Sequence, residues 1–347
     1  MRVMRRSTQT AVALAALAAL AGAGELVGST ATATAPGANG AITFQRFASA
    51  APTSSQLFTV ALDGTVKQLT TVNGGAFHPA WSPDGSHVVF EVGLVTPQRT
   101  KGRLYTVAAD GSGLRALTDG CKGKCADLMA SYSPDGKRLA FERLYPPWVT
   151  RHYGRHGRQE ITFASRVDVM TMSASGGAPK LVKRYGVDPQ PWDGAPQWSA
   201  DGKTLVVPLG SGKHKGSASA QGGALATIAV IGGRQHVITP WTLGAGPPSW
   251  SPDGKLIAFH SEGGHTSHIY VVAPDGSGLR DLLAQTAKGF PARPAWSPDG
   301  KQIAFDFGSF GDGQRGIYAM NADGSNVHVL VDTARNEVAP NWGPAAP

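Results

Sequence analysis

At 347 residues the chain is longer than one ordinary domain, yet within reach of a single repeat architecture. Only 16% of its residues are charged, against roughly 25% in typical globular domains, and it holds 45 glycines and 24 prolines. Apolar, strand-like runs recur to the C-terminus, which excludes collagen-like and disordered classes, and the formal charge of +8 makes the chain basic.

The first residues are a different text from the rest. Arg2, Arg5 and Arg6 precede the apolar run AVALAALAALAGAG (11–24), and small residues follow through Ala31-Thr32-Ala33. That order is a signal peptide, with cleavage expected after Ala33. The run is shorter than the ~20 residues of a membrane span, and no Cys lies near the cleavage region to carry a lipid. Residues 1–33 are therefore read as the signal, 34–40 as a short linker and 41–347 as the folded unit. The mature chain stays basic and lies outside the cytoplasm, secreted or in the periplasm or envelope. Its expected partner is an anionic cell-envelope polymer or an acidic protein, not nucleic acid. A monomer without a stable membrane anchor is expected.

One phrase then repeats: HPAWSPDGSHVVF, MASYSPDGKRLAF, APQWSADGKTLVV, PPSWSPDGKLIAF and RPAWSPDGKQIAF. Its aromatics are Trp81, Tyr132, Trp198, Trp250 and Trp296, with a degenerate sixth, Trp342, in PNWGP. Spacings of 51, 66, 52, 46 and 46 residues between short strands and tight turns are the signature of propeller blades with insertions. Each unit reads as four strands. The first ends at the aromatic, and Ser-Pro-Asp-Gly turns the chain because Pro presets φ and Gly accepts the closing conformation. An apolar second strand follows, such as Ile257-Ala258-Phe259, then a third such as IYVV (269–272). A second Gly-rich turn leads into a short fourth strand. No amphipathic run of helical length survives between these turns.

The two ends complete each other. The folded unit starts with strands two, three and four of a blade (Ile42-Thr43-Phe44, then LFTVALDGTVKQLT) and finishes on a first strand at Pro340-Asn341-Trp342. Joined, they make an all-β, six-bladed β-propeller of four-stranded blades with no open sheet edge at the seam. The repeated PxWSPDGxxIAF phrase resembles the TolB-like propeller family across residues 41–343. The resemblance implies the propeller alone, and the same repeat serves both binding proteins and accessory domains of enzymes.

Chemistry is harder to find. Asp84, Asp135, Asp201, Asp253 and Asp299 sit before Gly inside turns, where Asp bonds its own backbone. No G-x-S-x-G nucleophile turn is present, and GSGK (210–213) lacks the rest of a phosphate loop. His78, His260, His265 and His268, with Asp127, Asp193 or Glu337, could approach the central channel, but they do not recur at one repeat position. No metal site, catalytic residue or cofactor is therefore assigned. A glycan-acting lyase or hydrolase with a metal in the channel is the alternative reading. Cys121 and Cys125, in CKGKC, are expected to form a local disulfide in an exported chain.

Because neighbouring strands alternate in direction, the short Asp-Gly turns share one face of the disc. The connections of uneven length share the other, including 93–103, 143–166, 186–195 and 210–223. The connections between second and third strands also concentrate positive charge. Variable loops on a rigid scaffold are where binding resides, and Arg with aromatics anchors interfaces. Arg99, Lys101, Trp148, Arg151, Tyr153, Arg155, Arg158, Lys213 and Lys215 are the expected partner-binding residues of a non-catalytic scaffold.

Overall fold

The computed structural model describes residues 36–49, 51–93, 95–96, 99–100, 102–153, 159–192, 194–214, 222–263, 266–283, 289–308, 314–333 and 335–345. The expected signal segment lies outside them. Six antiparallel sheets succeed one another around a ring, and each is one blade. Blade one takes its first strand from the C-terminus, Glu337–Pro344, which pairs with Asn39–Phe47; Ser55–Val60 and Val66–Gln68 complete it. In this seam Ile42 faces Trp342 and Thr43 faces Asn341. Its second strand begins at Asn39, so the blade takes in two residues assigned above to the linker.

Blades two, five and six follow the repeat closely, their first strands running Ala76–Trp81, Ala245–Trp250 and Phe290–Trp296. Blade three departs from the expected pattern. Its second and third strands, Arg138–Tyr153 and Gln159–Ser173, continue past the sheet as one ribbon, with Trp148 opposite Ala164 and Tyr153 opposite Gln159. The segment expected as a loop is thus largely paired, because Val149, Thr150, Ile161, Thr162 and Phe163 are β-formers. The first strand of blade four comes in two pieces, Gln190–Pro191 and Gln197–Trp198, both paired with Thr204–Ser211. Part of the connection 186–195 is therefore strand.

The repeated turn works through its acid. Ser133, Ser199 and Ser251 each donate Oγ to the Asp two residues on at 2.6 Å, and that Asp accepts the next Lys N–H. The serine hydroxyls hold Asp135, Asp201 and Asp253 below the usual carboxylate range. These carboxylates serve their own turns.

Packing between blades rests on apolar clusters, such as Val206 and Leu225 of blade four with Ile257 and Phe259 of blade five. It also rests on a polar interlock that the repeat phrase hides. Three residues before the blade aromatic, His78, Met129, Arg293 and Ala339 take φ of 52–55°, a left-handed conformation that interrupts the ladder with a bulge. Each donates its N–H to the preceding blade, at the residue following the second-strand Phe. His78 N reaches Gln45 at 2.7 Å, Met129 N reaches Glu91 at 2.8 Å, Arg293 N reaches His260 at 3.4 Å and Ala339 N reaches Asp306 at 3.1 Å. All four acceptors are buried.

His260 must be neutral to accept. Burial pushes its imidazole from 6.5 down to about 3, with the Arg293 charge adding to the effect. Glycine at 246 is required beside it, since a Cβ there would lie 2.2 Å from its Cε1.

Two outcomes follow from the ring. Deleting residues 338–347 removes Ala339 and Trp342 and opens the seam; it should cause aggregation or lower the melting temperature by more than about 10 °C. A truncated protein that melts like the full one would contradict the seam. The second concerns acid. Between pH 6.5 and 3 the unfolded chain protonates at His260 and the folded one does not, so wild type loses stability as pH falls through that window. His260→Gln keeps an acceptor without titrating, and its stability relative to wild type should rise by up to about 1.4 kcal/mol per pH unit on acidification. Parallel urea-unfolding profiles for the two proteins would refute the burial of a neutral imidazole.

Candidate functional site

The described histidines and acids that could have converged on the channel are each engaged locally. His78 Nδ1 lies 3.0 Å from Glu91 Oε1 within blade two, both buried. His268 Nδ1 lies 2.7 Å from Asp281 on the fourth strand of blade five. Asp127 accepts Arg143 Nε and Nη2 at 2.6 and 3.0 Å, and Glu337 accepts Arg46 Nε at 2.9 Å and the Thr333 hydroxyl. Burial raises the Glu337 carboxyl above its usual range against the pull of Thr333 and Arg46. Among the described residues no three His, Cys, Asp or Glu side chains come together as a metal-binding group. His265 and Asp193 lie outside the described residues.

One carboxylate cluster is deeply buried. Asp306 receives Arg293 Nη1 at 3.1 Å, Arg315 Nε at 2.6 Å and the Ala339 N–H. Burial alone would raise its carboxyl, but Arg315 and Arg293 hold it below the usual range. It joins the last blade to the closing strand and is structural.

The expected partner-binding residues fall into three groups. Trp148 and Lys213 are described with their side chains. Trp148 is half-buried and packs on the core cluster shared by blades three and four, with Leu209 and Tyr185 in that cluster. It anchors the ribbon. Lys213 is exposed, its N–H held by Ser211 Oγ at 3.2 Å. Arg99, Arg151 and Tyr153 are described by backbone. Arg99 lies in a small hairpin opposite Thr96, Arg151 opposite Ile161 in the ribbon, and Tyr153 at the ribbon's last described pair. Lys101, Arg155, Arg158 and Lys215 lie outside the described residues.

Two further arginines of the ribbon are engaged within blade three. Arg143 is held by Asp127, and Arg166 stacks 3.5 Å over the Tyr145 ring with Asp168 at 3.5 Å. Asp168 also binds Arg184. Cys121 and Cys125 form a disulfide with Cα atoms 5.3 Å apart, which closes the turn before the first strand of blade three. No helix among the described residues is long and apolar enough to cross a membrane.

A second loop-face feature was not visible in the sequence. His214 lies flat on Trp241, ring centroids 4.3 Å apart and planes 8° from parallel. The two are 27 positions apart in the chain, on connections whose meeting only the ring defines.

Comparisons place this architecture. The TolB beta propeller domain family model matches residues 247–346. Comparison with curated proteins finds no sequence match. Among solved structures, TolB from Acinetobacter baumannii superposes with a TM-score of 0.62 at 18% identity, over 88% of this chain and 67% of that one. Putative TolB from Agrobacterium tumefaciens gives 0.59 at 19% identity, over 85% and 89%. An oligogalacturonate lyase in complex with manganese gives 0.51 at 16% identity, over 85% and 74%. At these identities the likeness is one of fold. The closed six-bladed ring makes the chain a β-propeller similar in fold to TolB, with its last blades matching the TolB beta propeller domain.

Proposed function

We propose that the protein is an exported, non-catalytic scaffold that binds an anionic partner of the cell envelope through its loop face. The observation that carries the reading is the contrast between the two faces. One is built from short, near-identical Asp-Gly turns whose acids are spent on their own backbone. The other carries a ribbon that continues past its sheet, the disulfide-closed turn and the exposed Lys213. A rigid ring presenting uneven, cationic connections on one side has the form of a binding platform. The rival reading, a glycan-acting enzyme with a metal in the channel, draws no donor cluster from the described residues.

The attraction should be mostly screened charge, since the Debye length falls from ~30 Å at 0.01 M salt to ~3 Å at 1 M. Binding to washed envelopes of the producing cell should weaken steeply across that range. Reversing Arg151, Arg155 and Arg158 to Glu should abolish binding and leave the melting temperature within a few degrees of wild type. Trp148→Ala should weaken binding at every salt concentration and also lower stability, by about 1–3 kcal/mol, because the indole packs on the core. Equal retention of all three proteins would show that the ribbon binds nothing.

A further inference from the structure

We infer that Lys213, His214 and Trp241 form a subsite for an acidic sugar on the loop face. The inference rests on the reading of that face as the surface for an anionic partner, and it names the partner's chemistry as a glycan bearing carboxylates.

Lys213 and His214 begin the connection between the second and third strands of blade four. Trp241 begins a short helical turn in the link to blade five. Trp241 packs against the core cluster of blades three and four, and His214 stacks on it. His214 is nevertheless exposed. A solvent-exposed imidazole would ordinarily sample several rotamers, but here the stack on Trp241 holds the ring and hydrogen bonds hold the backbone that carries it. Gly222 N donates to the His214 carbonyl at 2.7 Å. The approach is close enough that a Cβ on residue 222 would lie 2.7 Å from His214 Cβ, so glycine is required there. The adjoining Lys213 N–H is held by Ser211.

The result is a flat aromatic surface backed by the blade core, with an ammonium one residue away. A peptide carboxylate needs only the cation. A flat aromatic surface beside a cation complements a pyranose ring, whose C–H face lies on the plane while its carboxylate meets the lysine. Aromatic groups give such contacts geometry as well as area, and the cation adds the charge-assisted bond.

The test titrates the full-length mature protein with alginate oligomers, neutral cello-oligosaccharides and poly-glutamate by calorimetry. The uronate should bind, the neutral sugar should not, and poly-glutamate should bind more weakly. His214→Ala and Gly222→Ala should each lower uronate affinity about fivefold, the second with every charge in place. His214→Phe, which keeps the plane, should retain most of the affinity. Poly-glutamate binding as well as uronate, with both variants unchanged, would overturn the subsite. Failure here is separable from failure of the functional reading. If the ribbon reversals abolish envelope binding while wild type ignores uronate, the scaffold reading stands and the sugar subsite falls.

Discussion

A backbone N–H that its own sheet cannot use is the constraint on which the ring depends. In four blades the first strand bulges at a left-handed residue, and that residue's N–H leaves the ladder. Left unpaired in the interior it would cost about 1–3 kcal/mol. The acceptor is a side chain of the preceding blade, so at these four joints one blade is completed by its neighbour, the seam between the last and the first among them. At the joint between blades four and five the donor position is Pro247, which has no N–H, and the acceptor position is Pro208, which has no polar side chain. Gly194 is squeezed between these two prolines: a Cβ on it would lie 2.9 Å from Pro208 and 3.1 Å from Pro247. Donor and acceptor are absent together, as the burial of either alone would forbid.

A ring locked from within frees its connections. The inner strands place their ionisable groups in local pairs, Asp127 with Arg143, Glu337 with Arg46 and Asp306 with two arginines. The uneven connections lie past the ends of the ladders, on one side of the ring. The blade-three ribbon and the His214–Trp241 stack both stand on that side, and both are tied to the same core cluster. The scaffold thus sets their positions.

The turn phrase and the ring closure were legible in the sequence because their causes are local. Ser-Pro-Asp-Gly makes the same three hydrogen bonds wherever it occurs, and a blade lacking its first strand can be matched to a lone first strand by counting. The interlock was not legible, because the residue after the second-strand Phe is Gln45, Glu91, Glu142, His260 or Asp306. What repeats there is acceptor capacity, not residue type, and its partner lies one blade away. The connection 143–166 was expected as a loop from its place between the second and third strands; instead the strand bulges at Pro146-Pro147 and pairs again from Trp148. The stack escaped notice because neither His214 nor Trp241 belongs to a repeat position.

Gln45 offers the cleanest test of the interlock, since it is buried, uncharged and accepts the His78 N–H at 2.7 Å. Gln45→Met keeps the length of the side chain and removes only the acceptor. Equilibrium urea unfolding of this variant should show a loss of about 1–3 kcal/mol with an unchanged m-value. A variant as stable as wild type would contradict the claim that the blades are held to one another by these bonds.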